Sequence, residues 1–244
     1  MQKVIKSGIP FNVREGTVDI NVLDEVITGD CYQLNKINLR PNPNIVDVGG
    51  HIGGFTKLAA WKWPRGKFYV FEACRRNWST LESNLAEIQN KVTLFKGALV
   101  GSEPTNKRVV IASREADRVT GGWGIIYTDD PYTPGPDAAY ETIDNFYYIG
   151  DLFPALDKVD ILKLDCEGSE WGIVSAMTTE ELYKVDYLVA EIHCGALFHA
   201  PLTYKEFRDK ILKQFICPEL LARPTVSSHE LFNIVACNKK LIPK

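Results

Sequence analysis

From residue 45 onward, short runs rich in β-branched residues alternate with longer stretches in which apolar residues recur at helical spacing. Strands that are joined through helices pair in parallel, and helices then cover both faces of the sheet. The alternation therefore predicts an α/β fold built on a mostly parallel sheet. The runs that predict its strands are 44–48, 67–71, 92–100, 160–165, 185–193 and 231–237, of which we expect the last to be antiparallel.

The alternation is interrupted between residues 101 and 158. This interval holds clusters of glycine and proline and two strand-like runs, 107–112 and 123–127, which predict a hairpin-like insertion before the fourth strand. The insertion either faces a substrate or is a plain surface hairpin, and both alternatives stay open. The expected organisation is an N-terminal lead-in, residues 1–40, packed on one domain, residues 41–244.

The composition argues against several classes of protein. The chain has 244 residues, of which 45% are hydrophobic, and this is enough for one sizeable core without disulfides. Its net charge of −3 lacks the basic excess that nucleic-acid binding favours, and no apolar stretch has membrane-spanning length. The six cysteines include no C-x-x-C pair, and the N-terminus lacks the apolar stretch of a secretion signal. We therefore expect a cytoplasmic protein that binds neither nucleic acid nor membranes, with its oligomeric state left open.

A glycine-rich turn, Asp47-Val48-Gly49-Gly50-His51-Ile52-Gly53, separates the first strand from the helix that follows. Glycines at such a turn allow the main chain to approach a ligand closely. The G-x-G-x-x-G fingerprint of nicotinamide dinucleotide enzymes is not matched, because His51 follows Gly50. The turn thus favours a nucleoside ligand of another kind.

Two carboxylates accompany this turn. Asp47, on the first strand, would repel a pyrophosphate but can attract an ammonium group, either directly or through the turn. Glu72 ends the second strand, where a carboxylate can accept hydrogen bonds from both ribose hydroxyls. A ligand with a ribose, a cationic amino-acid portion and no phosphate fits this pair, which predicts S-adenosylmethionine. The alternative is a structural glycine turn with a surface acid at Glu72.

Several ordered segments resemble the FkbM-type methyltransferases, a class I S-adenosylmethionine-dependent family whose known members are largely O-methyltransferases. The most specific match is Leu162–Glu170, LKLDCEGSE, against the family's K-I-D-x-E-G-x-E. The chain departs from the family at Gly50-His51, where alanine-asparagine is usual, and at Ala73, which replaces a proline. Further matches are Phe11–Arg14 with Asp19 and Glu25–Tyr32, Phe71-Glu72-Ala73, Gly97-Ala98-Leu99, Glu141–Asp144 and Ala190–His193.

The resemblance implies the Rossmann-like fold of class I methyltransferases, with a seven-stranded, mostly parallel sheet and helices on both faces. It also implies that the segment after strand three borders the adenine. Together with the glycine turn and Glu72, it predicts a set of cofactor-binding residues. These are Asp47, Gly49, Gly50, His51, Gly53, Phe55, Glu72, Ala73, Gly97, Ala98 and Asp165.

Methyl transfer to a hydroxyl needs help from a base or a metal ion, because the pKa of the hydroxyl is high. In the family's fold the acceptor lies beyond the carboxyl ends of strands four and five. The residues expected to be catalytic there are Lys163, Asp165, Glu191 and His193. His193 titrates near neutrality and is the expected base, with Asp165 as the second candidate. Lys163 could equally neutralise a buried Asp165 or Asp47.

A metal ion at the same place is a second option that the spacing does not favour. Asp165, Glu191 and His193 offer donors that suit Mg²⁺ or Mn²⁺. Related macrolide and catechol O-methyltransferases use Mg²⁺, but the spacing here does not reproduce their aspartate-aspartate-asparagine set. Glu167 and Glu170 begin a helix, where acids also stabilise the N-terminus without any catalytic role.

These residues predict an S-adenosylmethionine-dependent O-methyltransferase that acts on a hydroxyl of a carbohydrate or of a glycosylated small molecule. The class of acceptor follows from analogy with the family alone. Two alternatives stay open, a non-catalytic S-adenosylmethionine-binding module and a methyltransferase that acts on nitrogen.

Overall fold

The computed structural model describes residues 1–102, 108–113, 124–128, 139–143, 145–194, 202–227 and 230–242. For residues 108–113, 124–128, 139 and 140 it describes the backbone alone. No helix among these residues is both long enough and apolar enough to cross a membrane.

Strands and helices alternate along the described residues. The strands are β1 (Gln2–Lys6), β2 (Ile9–Val13), β3 (Asn44–Val48), β4 (Lys67–Glu72), β5 (Val92–Lys96), β6 (Ala98–Val100), β7 (Arg108–Ser113), β8 (Gly124–Thr128), β9 (Ala139–Thr142), β10 (Phe146–Tyr148), β11 (Val159–Leu164), β12 (Val185–His193), β13 (Phe215–Ile216) and β14 (Leu231–Asn238). The helices are α1 (Asp19–Leu23), α2 (Gly54–Lys62), α3 (Arg75–Leu85), α4 (Ile149–Ala155), α5 (Glu170–Ala176), α6 (Thr179–Lys184), α7 (Tyr204–Gln214) and α8 (Pro218–Ala222). A π-helical turn, Asp24–Thr28, continues α1, and 3₁₀ turns occupy Leu34–Lys36, Ala86–Lys91 and Lys239–Leu241.

Seven strands form one sheet in the order β13-β14-β12-β11-β3-β4-β5. The five strands from β12 to β5 pair in parallel, whereas β14 is antiparallel to both β12 and β13. Along the chain, β3, β4 and β5 follow one another toward one edge of the sheet, whereas β11 and β12 follow one another toward the other edge. The strand order therefore reverses between β3 and β11. This is the arrangement of the class I methyltransferase fold, and the predicted parallel sheet with an antiparallel last strand is confirmed.

Both faces of the sheet are covered by helices, as the apolar character of its central strands requires. On β3, Ile45 packs into one core with Phe55 of α2 and Leu81 of α3. Its neighbour Val46 points to the opposite face and packs into a second core with Trp171 of α5. Successive side chains on a strand alternate between faces, so a continuous apolar run supplies both cores.

The third strand is shorter than the predicted run, 92–100, because it breaks at Gly97. There β5 ends, and β6 leaves the sheet to pair in parallel with β10. A Cβ at residue 97 would lie 2.4 Å from the carbonyl oxygen of Asn145, so the two chain segments can approach this closely only at a glycine. The signal for the break was this glycine inside a strand pattern.

The predicted hairpin in the insertion is confirmed. Strands β7 and β8 pair antiparallel, and β9 adds a third antiparallel strand that the sequence pattern did not reveal. The interval also contains β10 and α4, which lead into β11. Residue 144 and much of the interval from 103 to 138 lie outside the described residues, so the choice between a substrate-facing insertion and a plain hairpin stays open.

A buried ion pair joins β3 to β11 just below the glycine turn. Asp47 and Lys163 are partners in the parallel register, and Lys163 Nζ lies 3.1 Å from Asp47 Oδ1. Lys163 Nζ also donates to the carbonyl oxygens of Val48 (3.1 Å) and Gly49 (2.6 Å), while Thr56 Oγ1 donates to Asp47 Oδ2 at 2.6 Å. Burial opposes the charge of Lys163, but the carboxylates beside it prevail and raise its pKa.

Replacing Lys163 with methionine should lower the free energy of unfolding by roughly 3–5 kcal/mol, because Asp47 would remain buried without its cation. Urea unfolding followed by circular dichroism measures the change. Lys205→Met is the matched control, since Lys205 pairs with Asp209 at the exposed surface and should leave stability almost unchanged. Equal losses in the two variants would contradict the supporting role of the buried pair.

Candidate active site

A cleft of about 280 Å³ lies at the carboxyl end of the sheet, where the strand order reverses between β3 and β11. A ligand site is expected at this point of an open α/β sheet, because the loops that leave the two strands diverge there. The predicted site residues that line the cleft are Gly49, His51, Glu72, Ala73, Gly97, Ala98, Asp165 and Glu191. They come from the ends of the five parallel strands and meet in one cavity.

The remaining predicted residues lie behind the cleft wall rather than on it. They are Asp47, Gly50, Gly53, Phe55, Lys163 and His193. Asp47 and Lys163 form the ion pair beneath the turn, so Asp47 is directed at a lysine and not at the space where an ammonium group would bind. A Cβ at Gly50 would lie 2.5 Å from Val70 Cγ1, and Phe55 belongs to the apolar core. These residues shape the wall from behind.

The glycine turn is held in a backbone conformation that few residues adopt. Gly49 has a φ of +84°, and its N–H donates to the carbonyl oxygen of Phe71 at 3.0 Å. A Cβ here would lie 1.8 Å from the carbonyl oxygen of Asp165, so the position requires glycine. His51 also has a left-handed φ, +48°, which histidine and the family's asparagine tolerate better than most side chains do.

Glu72 reaches from the end of β4 to the glycine turn. Its Oε2 accepts a hydrogen bond from the N–H of His51 at 2.7 Å. Its Oε1 accepts from the N–H of Cys74 (2.8 Å) and from Asn77 Nδ2 (3.1 Å). Burial raises the pKa of Glu72, and His51 and the N–H donors oppose the rise. The carboxylate therefore has a fixed orientation on the cleft wall, at the place where a ribose was expected.

A network from the N-terminal lead-in holds His51 from outside the turn. Arg14 binds the buried carboxylate of Asp19 through two contacts, Nη2 to Oδ1 at 2.8 Å and Nε to Oδ2 at 2.9 Å. Asp19 Oδ1 in turn lies 3.4 Å from His51 Nε2. The matches at Arg14 and Asp19 were the sequence signal for this contact, but nothing in the sequence showed that it reaches the turn.

The lead-in also forms a wall of the cleft that the sequence did not predict. Its contribution comes from α1, the π-helical turn and the segment after it: Val18, Val22, Glu25, Val26 and Tyr32. Tyr32 is buried, and its hydroxyl donates to Asp165 Oδ2 at 2.6 Å. Sequence periodicity could not find this wall, because β1, β2 and α1 are short and precede the regular strand–helix alternation.

Acidic side chains gather around His193 at the ends of β11 and β12. His193 Nε2 lies 3.2 Å from Glu167 Oε2 and 3.4 Å from Glu191 Oε2, and Nδ1 lies 3.2 Å from Glu170 Oε1. Glu167, Glu191 and Asp165 line the cleft, whereas His193 and Glu170 are buried behind them. The sequence left open whether Glu167 has a functional role or only stabilises the start of a helix. In the structure, Glu167 lines the cleft.

The acids around His193 favour its doubly protonated form. Burial alone would lower its pKa, but hydrogen bonds and Coulomb attraction from Glu167 and Glu170 raise it to about 12. A doubly protonated imidazole has no lone pair with which to accept a proton. The role of base for His193 stays a prediction, which these contacts do not favour because they stabilise the charged ring.

Glu191 has a pKa raised well above that of an ordinary glutamate. Burial and the nearby charge of Asp165 raise its pKa to about 8, while His193 opposes the rise. Asp165 behaves in the opposite way, because Lys163 and the Tyr32 hydroxyl outweigh burial and lower its pKa. Two neighbouring carboxyl groups thus differ in protonation near neutral pH, the pattern that separates an acid–base group from a permanent anion.

The donor set has limited suitability for a metal ion. Asp165, Glu167 and His193 place one donor atom each within 4.8 Å of one another. The imidazole nitrogen facing this group is Nε2, which carries a proton directed at Glu167 and Glu191. A cation would have to displace that proton, so the imidazolium is the positive charge that fits this arrangement of acids.

Comparison with known proteins finds methyltransferases among the relatives of the chain. No family model matches the chain. The chain is 26% identical over 195 residues to Methyltransferase sdnD of Sordaria araneosa, covering 70% of this chain and 73% of that protein. It is 22% identical over 192 residues to the 31-O-demethyl-FK506 methyltransferase FkbM of Streptomyces tacrolimicus, covering 69% and 72%.

The chain is similar to the FkbM-type methyltransferases. A solved FkbM methyltransferase from Methylobacillus flagellatus KT superposes with a TM-score of 0.48 at 13% identity, over 83% of this chain and 45% of that one. The fold assignment itself rests on the strand order. The chain is accordingly a methyltransferase, and its cleft lies at the edge of the sheet where open α/β sheets bind ligands.

The raised pKa of Glu191 makes stability depend on pH. Because its pKa is higher folded than unfolded, its contribution is complete below about pH 4.5 and is lost as pH rises through about 8. Between about pH 6 and about pH 9, the unfolding free energy of the wild type should fall relative to that of Glu191→Gln, measured by urea titration. Glu180→Gln, at an exposed acid, should keep the wild-type slope. Parallel curves for wild type and Glu191→Gln would contradict the shift.

Proposed function

We propose that this methyltransferase transfers the methyl group of S-adenosylmethionine to a hydroxyl of a carbohydrate or a glycosylated small molecule, with Glu191 as the proton acceptor. The observation that carries this proposal is the position of Glu191 on the cleft wall with a pKa of about 8. A group that titrates near the working pH is the most effective general base.

The chemistry of the cleft wall fits S-adenosylmethionine. Glu72 offers a carboxylate to the ribose, and Phe71 and Leu99 offer apolar surface to the adenine. In place of Asp47, the carboxylates of Glu25 and Asp165 face the cleft and suit the cationic amino-acid end. When bound, S-adenosylmethionine supplies a methyl group on a sulfonium, which is already electrophilic, so the protein has mainly to align the acceptor and take its proton.

The residues at the ends of β11 and β12 divide this work. Asp165 is held by Tyr32 and Lys163 and stays anionic, so it orients rather than accepts a proton. Glu191 stands beside it and takes the proton of the acceptor hydroxyl as the oxygen attacks. His193, fixed behind them as a cation, limits the electrostatic cost of placing these acids together.

The acids on the wall also favour one class of acceptor. Carboxylates accept hydrogen bonds from hydroxyl groups, so Glu167 and Glu191 match a polyhydroxylated molecule. The same charges would repel the phosphates of a nucleic acid. The relative named 31-O-demethyl-FK506 methyltransferase is named for methylation at an oxygen, which supports a hydroxyl acceptor here.

A screen with methyl-labelled S-adenosylmethionine tests the acceptor class. The purified protein is incubated with monosaccharides, glycosides, aglycone alcohols and matched amino sugars whose hydroxyls are blocked, and products are identified by mass spectrometry. We expect label on oxygen of a glycoside or sugar. Label only on nitrogen, or nucleoside binding without any transfer, would contradict the proposal.

Glu72→Gln should weaken S-adenosylmethionine binding by roughly tenfold to a hundredfold, because it removes the charge from a hydrogen bond to the ribose. Isothermal titration calorimetry measures the change. Glu82→Gln is the matched control, since Glu82 pairs with Lys96 at the surface away from the cleft wall. Unchanged affinity in Glu72→Gln would remove Glu72 from the cofactor site.

The rate should rise with pH through the pKa of Glu191. Below about pH 8, kcat/KM for the hydroxyl acceptor should increase about tenfold per pH unit and then level off, because only ionised Glu191 accepts a proton. Glu191→Gln should lower kcat by about 10²- to 10⁴-fold and abolish the change of slope in the pH profile. A Glu191→Gln variant that keeps both the rate and this change of slope would exclude Glu191 as the base.

A further inference from the structure

Glu170 carries contacts that the usual role of an acid at a helix start does not require. It is the first residue of α5 and has no exposed surface. A carboxylate buried this completely is stable only if donors surround it. Its Oε1 accepts from the N–H of Cys166 at 2.7 Å and lies 3.2 Å from His193 Nδ1, and its Oε2 accepts from the N–H of Gly168 at 2.8 Å.

Two of these donors belong to the turn that presents Glu167 to the cleft. Glu167 has a φ of +54° and Gly168 a φ of +102°, so the chain passes through two left-handed residues in succession. A non-glycine residue pays a conformational penalty in this region. By binding the N–H groups on either side of Glu167, the carboxylate of Glu170 holds the turn in this form and sets the direction of the Glu167 side chain.

The third contact fixes His193 from the side away from the cleft. With Nδ1 directed at Glu170, Nε2 is left to face Glu167 and Glu191. The next residue, Trp171, adds a second tie to the same position, because its Nε1 donates to the carbonyl oxygen of His193 at 2.8 Å. The start of α5 thus holds both the ring and the backbone at the end of β12.

We propose that Glu170 is a positioning residue of the methyl-transfer reaction: its carboxylate holds the Cys166–Gly168 turn and the His193 ring in the one arrangement that directs Glu167 and Glu191 at the acceptor. This inference deepens the proposed function and rests on it for the part that concerns turnover. The structural part, that Glu170 controls the His193 ring, stands without it.

The charges around the two central groups define what loss of Glu170 does. His193 faces Glu167, Glu170 and Glu191, with Asp165 and Cys194 close enough to interact. Glu191 faces Asp165, His193, Glu25 and Glu167. In Glu170→Gln the side chain keeps its volume but loses its charge. Its amide NH₂ group then faces one of the N–H donors and cannot accept a hydrogen bond from it. The turn loosens, and the ring gives up its second proton more readily.

Histidine titration by NMR tests the structural part without substrate. In protein labelled with ¹³C-histidine, the Cε1–Hε1 signals report the protonation of each ring, and the His193→Gln spectrum assigns the signal. In Glu170→Gln, the midpoint for His193 should fall by roughly one to three pH units, since a partner charge within hydrogen-bonding distance shifts a pKa by that amount. A His193 signal that titrates as in the wild type would overturn the proposal.

Two further variants separate positioning from general damage. Trp171→Phe removes the other tie to His193 but no charge, so it should lower stability and leave the His193 midpoint in place. Glu170→Asp keeps the charge on a shorter chain and covers the case in which Glu170→Gln does not fold; its His193 midpoint should also fall. An equal shift in Trp171→Phe, or none in Glu170→Asp, would mean that Glu170 is merely structural.

Kinetics test the part that depends on the proposed function. Glu170→Gln should lower kcat at least about tenfold, as expected for displaced catalytic groups, while the Kd for S-adenosylmethionine changes less than about twofold. Glu180→Gln is the matched control and should change neither value. A parallel loss of affinity and rate would overturn the positioning role. If no hydroxyl acceptor is methylated by the wild type, the proposed function fails, whereas the NMR result still decides the role of Glu170 toward His193.

Discussion

The ion pair between Asp47 and Lys163 fixes the two strands between which the cleft opens. It lies where the strand order reverses, so no crossover helix ties β3 directly to β11 at this point. The same ammonium group binds the carbonyl oxygens of Val48 and Gly49 and therefore sets the start of the glycine turn. Gly49 can then pass against the carbonyl of Asp165, which brings the ends of β3 and β11 into contact.

The cleft has acids on its wall and cations behind it. Lys163 stands behind Asp165 and His193 behind Glu191, and both cations are buried. This layering keeps Asp165 ionised and still leaves Glu191 able to hold a proton near neutral pH. Two carboxyl groups at adjacent strand ends thereby acquire different properties from their surroundings alone, since as isolated side chains they would titrate at nearly the same pH.

The sequence was informative wherever a regular element ended at the sheet edge. Glu72 and Asp165 could be assigned to the cleft because parallel strands deliver their last residues to one edge. The pairing of Lys163 with Asp47, which the sequence offered beside a catalytic role, is present in the structure, but the register that aligns the two residues has no signature in either strand alone. The state of His193 was equally hidden, because it depends on Glu167 and Glu170 converging from a separate turn.

The lead-in shows the same limit at longer range. Tyr32 is 133 positions away from the carboxylate that it binds, and no local pattern encodes such a contact. The break at Gly97 was missed for a different reason: the apolar residues on either side of it read as one strand, and strand periodicity does not register a change of sheet. Backbone strain at Glu167 likewise has no signature in composition.

The acidic side chains of the cleft wall affect how readily the by-product is released after each turnover. Glu25, Glu72 and Asp165 face the space assigned to the nucleoside. Loss of the methyl group converts a sulfonium into an uncharged thioether, whereas the wall keeps its charge. Coulomb attraction then holds the spent nucleoside less firmly than the fresh one. Under the proposed function, exchange of the by-product for new donor is therefore favoured by electrostatics.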